Sequence, residues 1–278
     1  MMEIRRGGPI GAEILGVDVK TMDDATFGRI YQTWLECNVI AVRDQDLEID
    51  EFLAYSRRFG KVLPHPTKST RHPEYPEITL LGANKFRLDG TLDKEIYLRG
   101  AEGFHTDGSY EAIPYKATQL YALAIPSRGG DTHFSSAYAA YDALSPHLKE
   151  RLEGKVGEFI YGGRKKANLL LDEADRRAQP VRHALIQSHP ETGRKLLYFD
   201  QNKILRIDGL ETQESDAIID ELTRFMAQPP EQYRHQWRKG DIVIWDNRCS
   251  YHKAAGDYPP EEDRIHWRVS IKDYTASH

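Results

Sequence analysis

A chain of 278 residues that is 40% hydrophobic and 29% charged is long enough to bury a sizeable core and too apolar to read as disordered. Its net charge of −5 leaves no basic excess to neutralise phosphates, which argues against nucleic acid as the main partner. Only two cysteines occur, Cys37 and Cys249, in no C-x-x-C arrangement, so a disulfide framework or cysteine zinc cluster is not expected and a reducing compartment fits.

Residues 1–8 lack an apolar signal core, and no run of roughly 18 apolar residues occurs. A cytoplasmic protein with no membrane partner is expected. Helical periodicity begins after Asp23-Asp24, where Phe27, Ile30, Tyr31, Trp34 and Leu35 share one face. A strand-like run, Val39-Ile40-Ala41-Val42, follows. A second helix starts after Asp50 with Phe52, Tyr55 and Phe59 as its stripe and stops at Gly60. Ile78-Thr79-Leu80-Leu81 reads as a strand, residues 82–104 as a long connection, and residues 136–154 as helical. Residues 162–180 form a second, charged connection, and both insertions read as lid-like. Leu196-Leu197-Tyr198-Phe199 is another strand. A helix after Thr212 carries Ile218, Ile219, Leu222, Phe225 and Met226 and ends before Pro229-Pro230. Ile242-Val243-Ile244-Trp245 follows the Lys239-Gly240-Asp241 turn, and the run from Trp267 to Ile271 alternates. Strands do not alternate regularly with helices, and no G-x-G-x-x-G or P-loop appears, so a doubly wound sheet is disfavoured. The expectation is one domain over residues 1–278, an antiparallel β-sandwich with helices packed on one side.

His105-Thr106-Asp107 carries the chemistry. On extended backbone, residues i and i+2 project to the same side, so one imidazole and one carboxylate can share a metal ion. A distant histidine would complete a 2-His-1-carboxylate set, which leaves three coordination positions open for oxygenase chemistry. Eleven histidines compete for that place. His252 follows an apolar run and a polar Asp246-Asn247-Arg248 turn, a strand-end position where pocket residues collect. His65, His72 and His133 are rivals on spacing, whereas His189, beside Pro190, reads as a turn residue. Arg264 and Arg268 are four apart, hence on one face of a strand, and guanidinium groups match carboxylates bidentately. Gly129-Gly130-Asp131-Thr132 reads as a turn into a strand, with Thr132 placed to lend a hydroxyl. Taken singly, each piece is equally a surface loop, an exposed strand face or a turn.

In order along nearly the whole chain, several segments together resemble the taurine dioxygenase (TauD/TfdA) family of iron(II)- and 2-oxoglutarate-dependent dioxygenases. They are Gly11-Ala12-Glu13-Ile14-Leu15-Gly16-Val17-Asp18, Arg43-Asp44-Gln45, Ser56-Arg57-Arg58-Phe59-Gly60, Phe104-His105-Thr106-Asp107, Gly129-Gly130-Asp131-Thr132, Trp245-Asp246-Asn247-Arg248 and the Arg264/Arg268 pair. The resemblance implies a mainly β fold with flanking helices around a double-stranded β-helix (jelly-roll, cupin-like) core. It implies His105, Asp107 and His252 as iron(II) ligands and catalytic centre. It places Thr132 and Arg264 on the distal carboxylate of 2-oxoglutarate, and Arg268 on the substrate's acidic group. The implied enzyme is an oxidoreductase that consumes dioxygen, releases succinate and carbon dioxide, and hydroxylates an unactivated C–H bond. Asp107 sets it apart from related halogenases, in which a small residue makes room for halide. A homodimer or homotetramer is compatible with the family.

Around the substrate the chain departs from the taurine enzyme. Ala101-Glu102-Gly103-Phe104 lacks the polar residue expected there, and Lys203 stands where an aromatic is expected. A small anionic organic substrate other than taurine is therefore expected, with Lys203, His65, Tyr97 and Arg99 assisting Arg268. Three other readings stay open: desaturation, cyclisation or oxidative C–N chemistry on the same site; a non-catalytic jelly-roll binding protein; and a metal-dependent hydrolase, which would leave Thr132 and Arg264 unexplained.

Overall fold

The computed structural model describes residues 2–64, 71–82, 103–164 and 178–274. In chain order the first elements are β1 (Glu3–Arg6), β2 (Ala12–Leu15), α1 (Asp24–Cys37), β3 (Val39–Val42), α2 (Ile49–Arg57), β4 (Lys61–Leu63), β5 (Thr79–Leu81), β6 (Ala117–Ala124) and β7 (Thr132–Ser136). Next come α3 (Ala137–Ala143), α4 (Pro146–Leu152), β8 (Val156–Phe159), β9 (Val181–Ala184), β10 (Ile186–Ser188), β11 (Lys195–Leu197) and β12 (Ile204–Ile207). The last are α5 (Thr212–Phe225), β13 (Gln232–His235), β14 (Ile242–Asp246), β15 (Ser250–Ala254) and β16 (Ile265–Lys272).

Eight strands form a large sheet in the order β1-β2-β3-β14-β6-β16-β4, with β5 also paired to β16. Pairing is antiparallel except between β2 and β3. Period-2 alternation sorts its side chains onto two faces. Ile14, Ile40, Val42, Tyr121, Ile242, Ile244, Val269 and Ile271 pack on one face with α1 and α2. Val39, Ala41, Leu120, Ala122, Val243 and Trp245 face the other way, against Phe134 and Trp237. Phe134 belongs to a second sheet, β13-β7-β15, so two sheets meet across this inner layer. That inner layer positions the site described below.

The helices are not all on one side, contrary to the expectation. The α1 and α2 stripes cover the large sheet, while α3, α4 and α5 pack with β8, β11 and β12 in a separate cluster. The helical region at 136–154 is two helices. Ser145 caps α4 by accepting the Leu148 N–H, and Pro146 opens it. Proline disfavours helical backbone at the residue before it, which ends α3 there. The Asp23 side chain likewise accepts the Thr26 N–H at the start of α1. Gly240 adopts φ +82 in the turn before β14, and a Cβ there would lie 2.3 Å from the Gln45 carbonyl oxygen, so only glycine fits. Among the described residues, no helix is long and apolar enough to cross a membrane.

Candidate metal centre

His105 and His252 exchange both backbone hydrogen bonds, at 3.1 and 2.9 Å, forming an isolated antiparallel bridge between the loop at 103–107 and β15. Their rings lie 4.3 Å apart. Extended backbone then sends Asp107 to the same side as His105, while Thr106 turns away and donates its hydroxyl to the Asn247 carbonyl at 2.7 Å. The ligand-capable atoms of His105, Asp107 and His252 all lie within 4.8 Å of one another. Of the rivals for the third place, His72 accepts the Glu74 N–H through Nδ1, and His133 lies on β7 outside the cluster. His65 lies outside the described residues.

The protonation states suit a metal. His105 Nδ1 is 3.1 Å from the Gly103 carbonyl, an oxygen that only accepts, so Nδ1 carries a proton and Nε2 is the nitrogen turned to a metal. Burial, reinforced by the neighbouring His105, pushes His252 down to about 3, so it is a neutral imidazole. Its Nδ1 is buried without a hydrogen-bond partner among the described residues. Burial would raise the Asp107 carboxyl, but the Arg268 guanidinium and the Thr118 hydrogen bond hold it well below the usual range. Two imidazole nitrogens and one ionised carboxylate oxygen are the donor set of a facial iron(II) site.

Neighbouring side chains hold the carboxylate in place. Thr118 on β6 donates to Asp107 Oδ2 at 2.7 Å and accepts from Asn247 Nδ2 at 2.9 Å. Asn247 Oδ1 in turn receives Trp245 Nε1 at 2.9 Å and the Asp107 N–H at 3.3 Å. The Trp245-Asp246-Asn247-Arg248 turn is thereby wired to the Asp107 side. A second cluster, His189, Asp246 and Cys249, is also compact, but its donors are spent. His189 Nδ1 accepts the Glu191 and Thr192 N–H groups, leaving Nε2–H to donate to Asp246 at 3.1 Å. Asp246 also takes Arg248 on both oxygens. His189 is the turn residue the sequence indicated, and it braces the turn.

Thr132 and Arg264 meet as expected. Arg264 donates Nε to the Gly130 carbonyl at 2.6 Å and Nη2 to the Thr132 hydroxyl at 3.2 Å. Trp237 Nε1 donates to the same hydroxyl at 3.0 Å. With both acceptor positions of Oγ1 engaged, the hydroxyl proton is left to donate elsewhere. Burial pushes Arg264 down to about 10, so it stays charged at neutral pH. No carboxylate lies within 4.0 Å of it among the described residues, and a buried cation in that position calls for an anionic ligand.

Arg268 is partly buried, and its Nη2 lies 2.9 Å from Asp107 Oδ2. Lys203 Nζ sits over the Tyr161 ring at 4.4 Å and the Tyr110 ring at 5.7 Å. Tyr97 and Arg99, like His65, lie outside the described residues, as do most of the 82–104 insertion and residues 165–177 of the second. The sequence reading missed Thr118, Tyr110, Tyr115 and Asp200. Asp200 is buried, accepts the Ser109 hydroxyl at 2.7 Å, and is driven up by burial against the pull of His105 and Lys203. Thr118 left one readable trace: it is a polar residue at an inward-facing position, in step with Leu120 and Ala122.

A family model described as "Taurine catabolism dioxygenase TauD, TfdA family" matches residues 3–270. The (S)-phenoxypropionate/alpha-ketoglutarate-dioxygenase of Sphingobium herbicidovorans is 32% identical, across 96% of this chain and 93% of its own. The alpha-ketoglutarate-dependent 2,4-dichlorophenoxyacetate dioxygenase of Cupriavidus pinatubonensis is 31% identical, across 79% of each chain. A solved taurine dioxygenase from Burkholderia xenovorans superposes with a TM-score of 0.80 at 26% identity, covering 98% of this chain and 89% of that one. The likeness identifies the two facing sheets as a jelly-roll core with flanking helices.

Proposed function

The chain belongs to the TauD, TfdA family of iron(II)- and 2-oxoglutarate-dependent dioxygenases, which are oxidoreductases using iron(II), 2-oxoglutarate and dioxygen; on that premise we propose that it hydroxylates an unactivated C–H bond of a small anionic substrate. The observation that carries this reading is the partly buried His105–Asp107–His252 cluster beside the Thr132–Arg264 pair. His105, Asp107 and His252 hold the iron, and Thr132 and Arg264 hold the distal carboxylate of 2-oxoglutarate. When bound, the metal and oxo-acid supply the oxidation of the C–H bond by dioxygen, with succinate and carbon dioxide released.

The residues of the chain bind, orient and keep water out. Thr118 and Asn247 fix the Asp107 carboxylate, Gly103 fixes the His105 tautomer, and Trp237 aims the Thr132 hydroxyl. Arg268, partly buried beside Asp107, takes the substrate's acidic group within reach of the metal. Two relatives are named for aryloxyalkanoates, which favours an acid of that size here. Residues 1–278 act as one domain, the insertions at 82–104 and 162–180 as its lids.

Anaerobic addition of iron(II) and 2-oxoglutarate tests the site. A weak visible charge-transfer band, absent from His105→Ala, is expected. A folded protein without the band would remove the reading. Succinate release driven by 2-phenoxypropionate, with product mass up by one oxygen, tests the hydroxylation; a product lighter by two hydrogens would make the outcome desaturation instead.

A further inference from the structure

Arg264 is anchored at two points, and one of them depends on a residue that no role above uses. The Gly130 carbonyl that accepts Arg264 Nε at 2.6 Å belongs to a residue whose own N–H donates to Asp257 Oδ1 at 2.8 Å. Asp257 lies in the connection 255–263, which runs from β15, the strand of His252, to Arg264 itself. That connection is stapled to the turn before Thr132 at two further points. The Ala255 N–H donates to the Asp131 carbonyl at 2.9 Å, and Ser127 Oγ donates to Glu262 Oε1 at 2.7 Å. Gly129 and Gly130 permit the close approach, at φ +69 and +75. A Cβ on Gly129 would stand 2.6 Å from the Asp257 carbonyl oxygen, and one on Gly130 would stand 3.1 Å from Arg264 Cδ.

An arginine side chain is long and rich in rotamers, so its stem alone does not fix where its charge sits. An oxo-diacid held by the metal at one end and by Arg264 at the other is gauged by the separation of the two. Bonds that hold the guanidinium still turn it from a charge that acids of several lengths can reach into a stop at one depth. Asp257 supplies the outermost of those bonds, with half of its side chain exposed. We propose that Asp257 is a positioning residue that, through Gly130 and Arg264, makes the enzyme select the five-carbon oxo-diacid 2-oxoglutarate over its six-carbon homologue, 2-oxoadipate. The proposal rests on the reading of Arg264 as the contact for the distal carboxylate, and the experiment separates the two.

The wild type, Asp257→Ala, Asp257→Asn, Ser127→Ala and Arg264→Met are loaded anaerobically with iron(II), which prevents turnover, and titrated with 2-oxoglutarate and with 2-oxoadipate. Dissociation constants are read from the charge-transfer band, and iron affinity without oxo-acid is measured by calorimetry. An extra methylene in a fitted site costs roughly 10–200-fold, so the wild type is expected to prefer 2-oxoglutarate by about tenfold or more. In Asp257→Ala, 2-oxoglutarate is expected to weaken about tenfold, as for loss of one hydrogen bond to a charged group. The longer acid keeps its affinity there, so the preference falls by about the same factor, with iron affinity unchanged. Asp257→Asn keeps an oxygen for the Gly130 N–H and should retain the preference. If Asp257→Ala does not fold, Ser127→Ala, which loosens the same turn at an exposed position, carries the same expectation. A wild type without preference, a ratio unchanged in the alanine variants, or an Asp257→Asn protein that behaves as Asp257→Ala overturns this proposal alone. A lowered iron affinity makes Asp257 structural and also overturns it. Unchanged 2-oxoglutarate binding in Arg264→Met, or no band in the wild type, overturns the distal-carboxylate reading and the proposal with it.

Discussion

Replacing Thr118 by valine removes one oxygen and nearly preserves shape. Thr118 is fully buried, and its hydroxyl makes two bonds at once, donating to Asp107 Oδ2 at 2.7 Å and accepting from Asn247 Nδ2 at 2.9 Å. The first loss frees the carboxylate to rotate. Loss of a group that orients a metal ligand typically lowers affinity about 10–100-fold, or about 1.4–2.7 kcal/mol. The second loss strands a buried amide N–H, which costs about 1–3 kcal/mol, partly offset by the added methyl. That stability change corresponds to a melting temperature lower by roughly 2–10 °C. The assay is an anaerobic iron(II) titration at saturating 2-oxoglutarate, read by the charge-transfer band, alongside calorimetry of the metal-free protein. Thr118→Ser restores the hydroxyl and should recover most of the affinity. A folded Thr118→Val protein that binds iron as tightly as the wild type would refute the role given to this residue.

Arg264→Met should raise the half-saturating 2-oxoglutarate concentration by about 100-fold or more, since a buried cation–carboxylate pair is lost; an unchanged value would place the cosubstrate elsewhere. Trp237→Phe keeps the ring but frees an acceptor position on Thr132, and should weaken 2-oxoglutarate by about tenfold, measured by calorimetry. Gly240→Ala forces a Cβ to within 2.3 Å of the Gln45 carbonyl at a positive φ, so a loss of soluble, cooperatively unfolding protein is expected. For pH, burial holds His235 and His266 below the ordinary histidine value. Below about pH 6.5 the unfolded chain takes up protons that the folded chain refuses, so stability falls on acidification. The slope is up to about 1.4 kcal/mol per pH unit for each histidine. The urea midpoint of the metal-free protein should be lower at pH 5.5 than at pH 7.5; a flat or opposite trend would contradict the burial of these rings.

The ligand pair His105/Asp107 was legible because i, i+2 spacing has one meaning on extended backbone. The strands at 39–42 and 242–245 were legible because continuous apolar runs of that length must be covered on both faces, and α1 and the inner layer cover them. What brings His252 to His105 was not legible, since that backbone bridge spans 147 residues (252 − 105) and leaves no local mark. Thr118 and Asn247 went unassigned because their task is set by each other across two strands. Residues 136–154 read as helical and are so, while the Ser145-Pro146 step that divides them into two helices is a local signal that the reading of the region leaves unused. Helix sidedness failed because a stripe shows that a face is buried, not which of three layers receives it.

The exchanged backbone bonds between His105 and His252 have a consequence for how the chemistry could change. The spacing of those two positions is fixed by main chain, as in any hydrogen-bonded antiparallel pair, and not by the imidazoles themselves. Trimming either ring to alanine would therefore remove a donor while leaving the walls that held it. A small diffusible imidazole could lodge in such a gap and restore the missing nitrogen. The scaffold, on this view, is a mould whose contents can be exchanged one donor at a time.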